Sequence, residues 1–142
     1  LAWSRGLGDV YKRQLLTYSI EKALFFADNI NDDKLNFISS KWPGPNTLLI
    51  KFNNKLPSHL KNETGKIAIR VSDYYHLNAL GKGYKNFMIS TSANISGKKA
   101  IANPIDILKT FDDPTIAYYD APLGGNLKPS NIIDLETRKI IR

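Results

Sequence analysis

Apolar positions fall at helical spacing from Ser19 to about Asp28, where Ile20, Ala23, Leu24 and Ala27 share one face and Ser19 can cap the first turn. After a polar break from Asn29 to Asp33, Leu35 and Ile38 predict the inward face of a second helix. Trp42-Pro43-Gly44-Pro45 must end it, because two prolines and a glycine cannot continue a helix. Thr47 to Phe52 and Lys66 to Val71 are apolar runs of strand length, with a short helical turn expected over Pro57 to Asn62 between them. Asp73 is placed to cap a helix ending at Gly81, and Asn86 to Ser90 predicts a third strand. Asn103-Pro104 opens a helix by the cap-then-proline rule, with Ile105, Leu108 and Phe111 facing inward. Thr115 to Tyr119 and Asn131 to Leu135 read as strands, and Lys139 to Arg142 is expected to pair back across a turn at Glu136 to Arg138. Strands alternating with helices predict an α/β layered domain.

Residues 1 to 14, LAWSRGLGDVYKRQ, follow neither the strand nor the helix period and lack the apolar centre of a signal peptide. The chain opens on Leu1 rather than methionine, and we expect this stretch to be extraneous, with the domain proper occupying residues 15–142. A chain of 142 residues suffices for one domain with a real core. No apolar run approaches the 18 or so residues that a membrane span requires, so no membrane crossing is expected. The chain has no cysteine, which excludes disulfides, thiol nucleophiles and thiolate metal sites and suits a reducing cytoplasm. His59 and His76 stand apart with no acidic cluster beside them, which argues against a catalytic zinc site.

The net charge of +7 is unevenly spread: Lys41 to Lys99 holds ten basic and two acidic residues, a local balance of +8, and the remainder is close to neutral. A basic middle on a neutral frame points to an anionic partner such as a nucleotide, phosphate or RNA; a solvated lysine-rich surface is the plain alternative. Walker and G-x-G-x-x-G loops are absent, so a nucleotide would need another device. The strongest candidate is Ser90-Thr91-Ser92-Ala93-Asn94-Ile95-Ser96-Gly97, which a strand delivers to its carboxyl end with four hydroxyls and an amide close together. Arg70 follows, near the end of an apolar strand, where a guanidinium calls for a carboxylate or phosphate, Asp73 being the local alternative. Gly124-Gly125-Asn126-Leu127-Lys128-Pro129-Ser130 has the makings of a flap over an anion, or of an ordinary surface loop.

Trp42-Pro43-Gly44-Pro45-Asn46-Thr47, Ala68-Ile69-Arg70-Val71, Ser90 to Gly97 and Gly124 to Asp134 occur in one order with sensible spacing. In this the chain resembles the YrdC/TsaC family, threonylcarbamoyl-AMP synthases that prepare the t6A modification of tRNA, and in particular its short single-domain bacterial type. The resemblance implies a twisted α/β sheet with flanking helices around a basic concave cavity. It also implies a nucleotidyl transfer in which L-threonine, bicarbonate and ATP give threonylcarbamoyl-AMP and pyrophosphate. By position, Ser92 and Asn94 match the family's ATP contacts, and Ser130 and Arg142 match later positions that close on the phosphates. Arg70 matches the arginine that holds the threonine carboxylate, and Ser90 lines the threonine pocket. Magnesium is expected with ATP, and hand-off to the tRNA threonylcarbamoyl-transfer complex in the cytoplasm follows.

The family's opening strand, its P-T-x-T-x-Y-G-L-G segment and its K-x-R motif have no counterpart here, since Lys12-Arg13 lacks the intervening residue. We therefore expect a partial domain, without its first strand, whose own activity is weak or lost. Two other readings stand beside this one: an RNA-binding module of the same fold, possessing a basic cavity without catalysis, and a related carbamoyl-transfer domain of a larger protein.

Overall fold

In the computed structural model, which describes residues 13–95, 97–119, 121–124 and 128–142, β1 (Gln14–Thr17) opens the sheet. It leads into α1 (Ile20–Leu24) and α2 (Asp32–Lys41), then β2 (Asn46–Lys51), a 3-10 turn (Ser58–Leu60) and β3 (Lys66–Val71). α3 (Tyr75–Tyr84), β4 (Met88–Ser90), α4 (Pro104–Phe111) and β5 (Asn131–Asp134) complete the order. The sheet is open, mixed and five-stranded, ordered β4-β1-β3-β2-β5, with β1–β3 and β2–β5 parallel and the other two pairs antiparallel. The described residues divide into two compact units, one made of those up to Ser90 together with Lys128–Arg142, the other of those between. The first holds the sheet and the second holds α4.

The two faces of the sheet differ. Alternation puts Leu15, Leu48, Ile50, Ile67, Ile69, Val71 and Ile133 on one side, where they pack with Ala23, Phe26, Ile38 and Trp42 of the α1–α2 region into the main core. Burying each large aliphatic side chain there contributes about 1.5–3 kcal/mol. The opposite face carries a small apolar patch of Leu49, Ala68 and Ile132, and beside it the polar Thr47, Lys66, Arg70 and Asp134.

Ser19 caps α1 as expected, its hydroxyl accepting from the Lys22 N–H, but the helix stops at Leu24 rather than near Asp28. The reason is a tertiary one: Ala27 bridges to Phe52, and the Asn53 amide donates to the carbonyls of Phe25 and Ala27. In α2, Ile38 is buried while Leu35 lies exposed. α3 is capped at Tyr74, not Asp73, and runs past Gly81 to Tyr84, with Lys85 as its C-cap in the left-handed region at φ 62°. Gly81 is buried inside the helix because Tyr18 lies against it; a Cβ there would stand 2.8 Å from Tyr18 Cδ1. Gly81→Ala should therefore destabilise the fold although alanine favours helix by about 1 kcal/mol, since overpacking costs about 1–3 kcal/mol. A net loss of about 1 kcal/mol, read as a melting temperature lowered by about 3 °C, is expected from circular dichroism.

Asn103 caps α4 as predicted, but Thr115 to Tyr119 is not a strand. The Asp113 carboxylate accepts from both the N–H and the hydroxyl of Thr115, and the Ile116 N–H donates to the Asp113 carbonyl, so the chain turns there. After β5, the last residues return as expected: Ile133 bridges to Ile140, and the Ile132 N–H donates to the Arg142 carbonyl at 2.8 Å. Ion pairs fasten this turn to α2, with Glu136 2.6 Å from Lys34 and Asp33 2.6 Å from Arg138, whose guanidinium also lies over the Phe37 ring.

Candidate functional site

A single cross-strand row, Leu16–Arg70–Thr47–Ile132, crosses the sheet at the carboxyl end of β3. The main-chain bond from Ile132 to Arg142 extends it by one residue. Thr47 is fully buried, and its hydroxyl donates to Gln14 Oε1 at 3.0 Å and lies 2.8 Å from the hydroxyl of Ser130. Arg70 and Arg142 are thus on one row of the first unit, and Ser130, two residues before Ile132, meets that row through its side-chain contact with Thr47.

Arg70 is half-buried, and its Nε donates to the Gly44 carbonyl at 3.2 Å. Gly44 belongs to the turn that precedes β2; its N–H donates to the Val71 carbonyl, and Trp42 Nε1 closes the turn on the Asn46 carbonyl. With Nε committed, the two terminal amino groups of Arg70 have no partner among the described residues and present an end-on fork. Burial lowers the guanidinium below its ordinary value, partly offset by the charge of Asp73, which does not reach ion-pair distance. The group stays charged, so this is a half-buried cation suited to a carboxylate or phosphate.

Ser90 ends β4 on the same face, in register with Gln14. It lies two strands and about two residues from Arg70, roughly 12 Å between backbones from standard sheet spacings, on the β1 side of β3, whereas the Arg70 Nε is engaged on the β2 side.

Ser92 and Asn94 belong to the second unit. The Asn94 N–H donates to the Ser92 carbonyl, and the Asn94 amide donates to the carbonyls of Ile95 and Lys98, both at 3.0 Å. Gly97, at φ 80°, permits the tight return. Both amide hydrogens are therefore consumed in holding the loop, and Asn94 offers a ligand only its Oδ1, an acceptor suited to a hydroxyl or amino group rather than to phosphate oxygen. Ser92 is exposed, and its hydroxyl has no partner among the described residues. Ser96, Gly125, Asn126, Leu127 and residues 1–12, Lys12 among them, lie outside the described residues.

Lys66 and Asp134 pair at 2.5 Å on the same sheet face, with side-chain exposures of only 20% and 10%. Burial raises the Asp134 carboxyl, but hydrogen bonds from Lys66, from the N–H groups of Thr137 and Glu136, and the Lys66 charge outweigh it and leave the carboxyl below its ordinary value. Among the described residues no three His, Cys, Asp or Glu side chains gather where they could hold a metal ion, and no helix is long and apolar enough to cross a membrane.

Two participants escaped the sequence reading. Thr47 is legible as the opening residue of a strand and the last of the Trp42-to-Thr47 motif, without a role of its own, though a hydroxyl ahead of the apolar Leu48-Leu49-Ile50 run is a usable signal. Gln14, assigned to the extraneous stretch, opens β1 and reaches Thr47. The strand itself was missed because four residues are too few to show a period.

The Sua5/yciO/yrdC family, described as "Telomere recombination", matches residues 13–142. A threonylcarbamoyl-AMP synthase of Stutzerimonas stutzeri (strain A1501) is 30% identical over 128 residues, 90% of this chain and 69% of that protein. Among solved structures, E. coli YciO is similar at a TM-score of 0.74 and 21% identity, covering 94% of this chain and 66% of that one. Two structures of P. abyssi Sua5 are also similar, both at 21% identity. One is a variant with a TM-score of 0.78, covering 89% of this chain and 39% of that one. The other, complexed with L-threonine, has a TM-score of 0.66 and covers 87% of this chain and 36% of that one.

Proposed function

The chain belongs to the Sua5/YciO/YrdC family, and from that membership we propose that it is a threonylcarbamoyl-AMP synthase domain, a nucleotidyltransferase acting on L-threonine, bicarbonate and ATP. The observation that carries the reading is Arg70, a half-buried cation whose Nε is engaged by Gly44 and whose fork is open. An amino-acid carboxylate matches that fork in charge and geometry, and a relative, P. abyssi Sua5, has been solved with L-threonine.

In the proposed reaction the carbamate oxygen of carboxylated threonine attacks the α-phosphorus of ATP, and the bond to pyrophosphate breaks. The residues assigned here hold and orient, and none is asked to move a proton. Arg70 fixes the threonine end, with Ser90 on the same sheet face. Ser130 and Arg142 serve the phosphates, Ser92 donates to the nucleotide, and the Asn94 Oδ1 accepts from its ribose or base. Such an enzyme gains by aligning attacking oxygen, phosphorus and leaving group, and by excluding water from a labile mixed anhydride. Magnesium enters as the counter-ion of the nucleotide, since the described residues gather no carboxylate cluster for it. The product would pass in the cytoplasm to the tRNA threonylcarbamoyl-transfer complex.

Titration calorimetry with ATP tests the reading directly. Ser92→Ala and Asn94→Ala are each expected to weaken ATP binding roughly tenfold, the worth of one hydrogen bond to a charged or well-placed group. Binding that ignores both changes, combined with RNA affinity that falls steeply as salt rises, would replace this reading with the RNA-binding one.

A further inference from the structure

We propose that Asn46 is a positioning residue for the amino-acid end of the site, clasping the turn that aims Arg70; the inference rests on the reading of Arg70 given above. Arg70 Nε is held by the Gly44 carbonyl, so the fork points wherever the turn from Trp42 to Pro45 puts that carbonyl. The turn lies between the last residue of α2, Lys41, and the first of β2, Asn46. Asn46 joins its two ends: the side-chain Nδ2 donates to the Lys41 carbonyl at 3.3 Å, and the main-chain carbonyl accepts from Trp42 Nε1 at 2.8 Å. The clasp is held from β5 as well. There Asn131 Nδ2 donates to Asn46 Oδ1 at 3.4 Å, and the Asn131 N–H donates to the Pro45 carbonyl at 3.1 Å.

The chemistry fixes the direction of each bond. A main-chain carbonyl only accepts, so the Asn46 amide must turn its NH2 toward Lys41, which leaves Oδ1 for Asn131 and assigns the orientation of both amides. Asparagine carries a donor and an acceptor on opposite arms; leucine has a similar shape with neither, and ionised aspartate has acceptors alone. The Lys41 carbonyl is also the atom that a Cβ at Gly44 would meet at 3.3 Å, so the clasp closes where the turn is tightest. Thr47, the next residue, is fully buried and paired on both sides in the ladders of β2, which anchors the clasp on a rigid strand. Among the described residues Asn46 makes no side-chain bond to Arg70 or to Ser130, so its effect runs through Gly44 and should fall on the amino acid and not on the nucleotide.

The test is titration of the 142-residue chain with L-threonine, and separately with ATP, well below the melting transition of every variant. Asn46→Leu, which keeps the size and removes the amide, should weaken L-threonine binding roughly fivefold, the worth of one neutral hydrogen bond, and change ATP binding by less than about twofold. Asn46→Ala provides the same deletion should leucine prevent folding. In an Arg70→Lys background the bond to Gly44 is already gone. Adding Asn46→Leu there should cost less than about a further twofold in L-threonine binding, read by ligand-observed NMR. Unchanged L-threonine binding by the Asn46 variants, with Arg70→Lys still weakened, would overturn the role of Asn46 and leave the reading of Arg70 intact. So would a fivefold loss that persists in the Arg70→Lys background, or equal losses for L-threonine and ATP, since either marks a general loosening of the fold. If Arg70→Lys binds as the parent does, or the parent shows no saturable L-threonine binding, the reading of Arg70 itself fails and takes this inference with it.

Discussion

Arg70→Lys is expected to weaken L-threonine binding by roughly 100-fold, although it preserves the charge. The fork offers two parallel N–H donors to a carboxylate, and each charge-assisted hydrogen bond is worth about 1.5–3 kcal/mol. Lysine can make one of them from a flexible stem and cannot donate to Gly44, whose carbonyl now receives Arg70 Nε at 3.2 Å. The loss is therefore both of a bond and of aim. Calorimetric titration with L-threonine reads it, and Arg70→Ala should be weaker still. Equal affinity in the parent and Arg70→Lys would mean that the fork faces something other than a carboxylate. The melting temperature should move little, since a half-buried guanidinium without an ion pair contributes modestly to the fold.

Asp134→Ala should lower stability by about 3 kcal/mol, the cost of leaving one partner of a buried pair alone. Lys66 loses its counter-charge, and the N–H groups of Glu136 and Thr137 lose the oxygen that caps their turn. Asp134→Asn keeps an acceptor for the turn and should lose less. The pH dependence has a definite sign. The folded-state carboxyl lies below its ordinary value of 3.8, so the group contributes stability that is fully present above that value. That contribution disappears as pH falls through the lower, folded value. Urea unfolding at pH 7 should separate parent from variant clearly, and the gap should close in strongly acidic buffer. A gap of the same size at both would assign the effect to packing instead of charge.

Much of this architecture was legible because its signals are local. Ser19 and Asn103 cap helices through their own side chains, and the KIAIRV run marks a strand by composition alone. The order of the four motifs also points to the fold. What escaped depended on distant partners. α1 ends early because Asn53 claims its following carbonyls, and Gly81 continues a helix because Tyr18 needs the space. Thr115 to Tyr119 has the composition of a strand, but Asp113 next to it stabilises a turn more cheaply than an unpaired strand can form. The site divides in the same way. Arg70 announces itself as a charge in an apolar run, whereas Thr47 acquires meaning only when Ser130, far along the chain, is brought against it.

Gly44 engages the end of β3 twice, its N–H on Val71 and its carbonyl on Arg70. Both contacts use main-chain atoms, which every residue but proline possesses, so the aim of the guanidinium is encoded in the path of the backbone. Among the side chains of the turn, Trp42 supports that path by closing it on the Asn46 carbonyl. Tolerance ends where the path itself changes: at φ 158° Gly44 is nearly extended, yet a Cβ would meet the Lys41 carbonyl at 3.3 Å. The position that aims the cation is therefore constrained although it carries no functional group of its own.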